Sequence, residues 1–162
     1  MNIKNIINNY EIELQKKEEE QKKEFEEKKQ QRVFNGRAIE RCIRSIIEPV
    51  FEKAKLELHQ LDHPCNVDLI LRKDEQTGIE QTIAIGIKLT TKITKGSKLS
   101  LQDSYLTYEG NFNCQELTKK YFIAEMRKPP DESSPMSLHK ITTDLVEDDI
   151  EKFLEQVFVV TR

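Results

Sequence analysis

The sequence predicts an α+β fold. A long N-terminal helix and a kinked amphipathic helix come first, then an antiparallel sheet of about four strands, then a C-terminal helix packed on one sheet face. Three observations carry this. Apolar residues recur three or four apart from Ile3 to Leu14 and again from Ile39 to Leu61, alternate from Val67 onward, and return to helical spacing after Asp144.

Length and composition divide the chain of 162 residues into two parts: 1–35, a charged, helical, coiled-coil-like extension, and 36–162, a single α+β domain. In the extension Ile3, Ile7, Tyr10 and Leu14 follow at spacings of four, three and four, an apolar seam of one to two heptads. The same register then reaches Lys17, Gln21, Glu24 and Lys28, so the coiled-coil pattern stops at Leu14. Residues 15–32, QKKEEEQKKEFEEKKQQR, hold seven basic and six acidic side chains and one apolar residue, Phe25. Glu18–Lys22, Glu19–Lys23 and Glu24–Lys28 place Glu four residues before Lys, worth roughly 0.2–0.5 kcal/mol per pair. A solvated helix is expected, spanning about 27 Å over residues 15–32.

Asn35-Gly36 predicts a break or bend. The second helix follows, with Ile39, Cys42, Ile43, Ile46, Ile47, Val50, Ala54, Leu58 and Leu61 on a broad apolar face. Pro49 lies inside it and predicts a kink or restart near Glu48. The first strand is NVDLILR. The second carries Ile79, Ile83, Ile85, Ile87 and Leu89 on one face, interrupted by Gln81, and KDEQTG joins the two as a hairpin. A polar link, TTKITKGSK, precedes strands at SYLTYEG and KKYFIAEM. Connections this short leave no room for crossover helices, so the sheet is antiparallel. After the Pro- and Ser-rich RKPPDESSPMSLHK comes the last helix, opened by Asp144 with Glu147 as a capping box and striped by Val146, Ile150, Phe153, Leu154, Val157 and Phe158.

The sharpest chemical signal is HQLDHPC, residues 59–65. On a helix His59 and His63 share a face, and Cys65 beyond Pro64 could add a third zinc ligand, with Cys114, His139 or solvent as the fourth. The simpler reading is a helix end: Pro64 is a stop signal, and histidines in a last turn suit the carbonyl end of the dipole. Asp68 followed by Ile87-Lys88 resembles the acid, acid-x-lysine arrangement of restriction-type metal-dependent nucleases, but Gly86 stands where the second carboxylate belongs. Glu125-Met126-Arg127 with Glu109 is a second such fragment, and Asp144, Glu147, Asp148 and Asp149 form an acidic cluster that a helix start explains. Tyr105, Tyr108, Tyr121 and Phe122 could offer a stacking surface. No phosphate-cradling glycine loop and no GxSxG occurs.

A formal charge of -3 argues against nucleic acid. No apolar run is long enough for a membrane span, the N-terminus lacks signal-peptide features, and three scattered cysteines suit a reducing compartment, so the expected location is the cytoplasm. The expected function is a non-enzymatic protein-interaction or oligomerisation module. It self-associates or takes a protein partner through Ile3, Ile7, Tyr10 and Leu14, and needs no cofactor. The alternative is a small metal-dependent enzyme or zinc-stabilised fold using His59, His63 and Cys65. A small-ligand binder with a pocket between sheet and helices is a third possibility, for which the sequence shows no convergent polar set.

Overall fold

The computed structural model describes residues 1–124 and 131–158, with backbone alone for residues 93–95 and 131. Helix α1 runs from Ile3 to Cys42, a π-helical turn covers Ile43–Ile47, and α2 continues over Glu48–Gln60. The strands are β1 (Cys65–Lys73), β2 (Glu80–Lys95), β3 (Lys98–Gly110), β4 (Glu116–Phe122) and the short β5 (Asp131–Glu132) and β6 (Met136–Ser137). A 3₁₀ turn at Leu138–Lys140 leads into α3, Thr143–Val157. The α+β order is the one the periodicities predict. Among the described residues all strand pairs are antiparallel, in the order β1-β2-β3-β4-β5, with β6 also on β4.

Asn35-Gly36 is not a break. Both residues are buried inside continuous α1. The Asn35 side chain accepts from Gln31 and donates to the Phe112 carbonyl at 3.0 Å, so it ties the helix to the β3–β4 loop. Gly36 makes room for Gln81: a Cβ there would stand 1.8 Å from Gln81 Oε1 and 3.0 Å from the Phe112 ring. Close approach of the sheet, rather than helix termination, explains the glycine.

Pro49 acts as expected, one turn upstream. The Glu48 amide bonds the Ile43 carbonyl, a five-residue step, and α2 restarts with Pro49 in its first turn, where the missing donor costs little. Ile39, Ile43, Ile47 and Phe51 from this helix meet Ile83, Ile85, Ile87 and Leu89 of β2 in one core, closed on its other side by Val146, Ile150 and Phe153 of α3.

Three sequence expectations are corrected. TTKITKGSK is not a link but the end of β2 and the start of β3: Lys95 pairs with Lys98 across a two-residue turn opened by Gly96 at φ 64°. Its β-branched Thr90, Thr91, Ile93 and Thr94 favour strand. The strict alternation expected across β2 is broken by a bulge, since Ile70 pairs with Ala84 and Leu71 with Thr82. Thr82 is therefore fully buried, its amide donating to Glu40 and its hydroxyl accepting from Arg44. Finally, α3 is capped by Thr142, whose Oγ1 accepts from the Leu145 amide, and not by Asp144.

Candidate functional site

The first 28 residues are exposed throughout, and contact with the rest of the protein begins near Lys29. From Ile3 that is a shaft of about 40 Å at 1.5 Å per residue. Ile3, Ile7, Tyr10 and Leu14 are 53%, 50%, 64% and 44% exposed, and Ile6 beside them 68%. At 3.6 residues per turn these five lie within an arc of about 100°, the width of stripe that a surface helix normally buries. The Glu–Lys pairs expected beyond Leu14 do not close to ion-pair distance; Lys29 Nζ lies instead 4.5 Å above the Phe25 ring. With so little packing, the helicity of the shaft rests on its own residues rather than on tertiary contacts.

Where the shaft meets the body it is firmly held. Arg32 donates Nε and Nη2 to the two carboxylate oxygens of Asp74 at 2.9 and 2.8 Å, and Nη1 to Asn113. Asp74 closes the β1–β2 turn by accepting also from the Gln76 amide and the Thr77 hydroxyl. The Arg32 hydrogen bonds hold its carboxyl below the usual carboxylate range, against the opposing effect of burial. Beside this anchor Val33, Phe34, Ile79 and Thr77 line an open cleft of about 380 Å³, flanked by Lys29 and Arg37.

The histidine motif is a helix terminus. The Asp62 amide bonds the His59 carbonyl and the His63 amide the Leu58 carbonyl at 2.8 Å, a Schellman arrangement with Asp62 at φ 61° where glycine is usual. Three potential ligands go separate ways. His59 Nε2–H donates to the Cys65 carbonyl at 3.2 Å, His63 packs edge-on against Phe158 at 4.8 Å, and the Cys65 thiol is buried in the core, where desolvation raises its pKa. Cys114 interacts with Asn111 and Glu116, and His139 with Ser137. Among the described residues no group of three or more His, Cys, Asp or Glu is placed to hold a metal ion.

The acid-x-lysine pattern is assembled, but incompletely. Asp68 sits directly opposite Gly86 in the β1–β2 ladder, with Lys88 two pairs along opposite Asn66. A Cβ on Gly86 would reach 3.0 Å from Thr107 Oγ1, so β3 presses on the very position where a second carboxylate would stand. Glu109, on the neighbouring strand, is taken up by Arg72 at 2.9 Å and Lys120 at 3.1 Å. The Glu125-Met126-Arg127 fragment lies outside the described residues.

Of the four aromatics expected as a stacking surface, Tyr105 and Phe122 stack on each other at 5.6 Å. Tyr108 points into the core against Phe51. The acidic cluster also divides: Asp149 is buried, accepts from the Tyr108 hydroxyl and pairs with Lys119 at 2.9 Å, a lock between α3 and the sheet. Its position four residues past Leu145 on the apolar side of α3 was the available signal.

The chain matches no family model, no curated protein and no solved structure. Among the described residues no helix is long and apolar enough to cross a membrane.

Proposed function

We propose that this protein is a non-enzymatic interaction or oligomerisation module that docks through the seam of Ile3, Ile7, Tyr10 and Leu14. One observation carries the reading: these side chains are about half exposed on a helix that no described residue covers. Apolar stripes of this width are normally buried, and burial of each side chain is favourable by roughly 1–3 kcal/mol. The shaft holds the seam clear of the body, and the Arg32–Asp74 anchor fixes the angle at which it leaves. We place the protein in the cytoplasm on its scattered free cysteines.

The test is sedimentation equilibrium of the full chain over rising concentration, alongside an Ile7→Asp/Leu14→Asp variant. Neither position touches the body, so the variant's near-UV spectrum and melting transition should match the parent's. The reading expects a concentration-dependent rise in mass that the variant loses. A parent that stays monomeric to its solubility limit, with amides of residues 3–14 exchanging as in an unprotected peptide, would overturn it.

A further inference from the structure

We infer that the seam's occupant is a second copy of this chain, laid antiparallel over residues 3–14. This rests on the docking reading above and adds the partner and its orientation. In heptad terms Ile3 and Tyr10 take one core position and Ile7 and Leu14 the other; Lys4 and Glu11 flank on one side, Ile6 and Glu13 on the other.

A parallel, in-register pair aligns each residue with its own copy. Beyond Leu14 it then sets Lys17 against Lys17, Glu24 against Glu24 and Lys28 against Lys28 in the seam, and Glu13 of one helix against Glu18 of the other on the flank. Every one of these contacts is repulsive, and charged side chains at core positions are desolvated as well.

The antiparallel pair removes them all. Ile3 meets Leu14, Ile7 meets Tyr10, and the charged stretches leave the overlap in opposite directions into water. Two-fold symmetry makes the flanking Lys4–Glu11 contact twice, while the stem of Glu13 lies over Ile6. Lys4, Ile6, Glu11 and Glu13 are all exposed and available. The overlap is short, so the association is weak and depends on concentration. The two bodies, each starting near Lys29, end up about 60 Å apart at 1.5 Å per residue.

Engineered disulfides read the orientation directly. In a Cys114→Ser background of the full chain, an Ile3→Cys protein is mixed with a Leu14→Cys protein under mild oxidation. Antiparallel docking predicts the mixed-site dimer and loss of both same-site dimers, because residue 3 and its mate stand about 16 Å apart along the axis and a disulfide needs about 4 Å between Cβ atoms. A charge swap gives a second readout: Lys4→Glu weakens the dimer, and Lys4→Glu/Glu11→Lys restores it. Same-site dimers, or a Lys4→Glu protein that dimerises like the parent, would overturn the inference and leave seam docking standing. A monomer would overturn this inference and leave docking to another protein standing, and a dimer indifferent to Ile7→Asp/Leu14→Asp would overturn both.

Discussion

The Tyr108 hydroxyl of β3 donates to the Asp149 carboxylate of α3 inside the core, and this contact decides how the last helix seats on the sheet. Burial, with Asp149 adding to it, drives the tyrosine's pKa well above its ordinary value. Lys119 supplies the countercharge at 2.9 Å. Replacing Asp149 with Ala orphans a buried hydroxyl and strands a partly buried ammonium. We expect a loss of about 2–4 kcal/mol by urea denaturation, and about 1 kcal/mol for Tyr108→Phe, which leaves the Lys119 pair in place.

The Arg32–Asp74 pair makes stability depend on acid. Because the folded-state pKa of Asp74 is depressed, its contribution is complete above the unfolded value of about 3.9 and is lost as pH falls through the folded value. Urea midpoints of the parent and Arg32→Leu should differ most at neutral pH and converge in acid. A gap that is constant from pH 7 to below the folded value would show that the arginine acts only through packing.

Gly36 offers a test in which helix propensity and packing disagree. Alanine favours an isolated helix by about 1 kcal/mol over glycine. Here its Cβ collides with Gln81 Oε1, so Gly36→Ala should destabilise by about 1–3 kcal/mol. Gln81→Ala removes the obstructing end of the side chain, and Gly36→Ala in that background should cost far less, giving a large coupling in the double-mutant cycle.

At the α2 terminus Asp62 holds a left-handed conformation that glycine adopts more easily. Asp62→Gly should raise the urea midpoint, by up to about 1 kcal/mol in stability. The same geometry turns the His59 ring toward the Cys65 carbonyl rather than toward the Cys65 thiol. A chelator should therefore leave the melting transition where it is, and His63→Ala should cost no more than its ring contact with Phe158, about 1 kcal/mol. A chelator-dependent fall in melting temperature would return the zinc alternative to first place.

The helices, the β1–β2 hairpin and the apolar faces were legible in the sequence because each depends on neighbours a few residues away, whereas the tight β2–β3 hairpin at Gly96 was read as a polar link. Spacing alone identifies Ile39, Ile43 and Ile47 as one face and Ile83, Ile85 and Ile87 as another. The exposed apolar stripe of Ile3, Ile7, Tyr10 and Leu14 was legible for the same reason, as was the missing carboxylate at Gly86. Tertiary structure decided what has two causes locally and one globally. Asn35-Gly36 reads as a turn until Gln81 and Phe112 close on it. Thr82 reads as a solvent residue until a bulge turns it toward Glu40 and Arg44. Asp149 reads as a helix-start charge until Tyr108 and Lys119 meet it from strands 41 and 30 residues away. Burying a polar side chain is costly without hydrogen-bond partners, and for Thr82 and Asp149 those partners come from distant segments that their own segment does not identify.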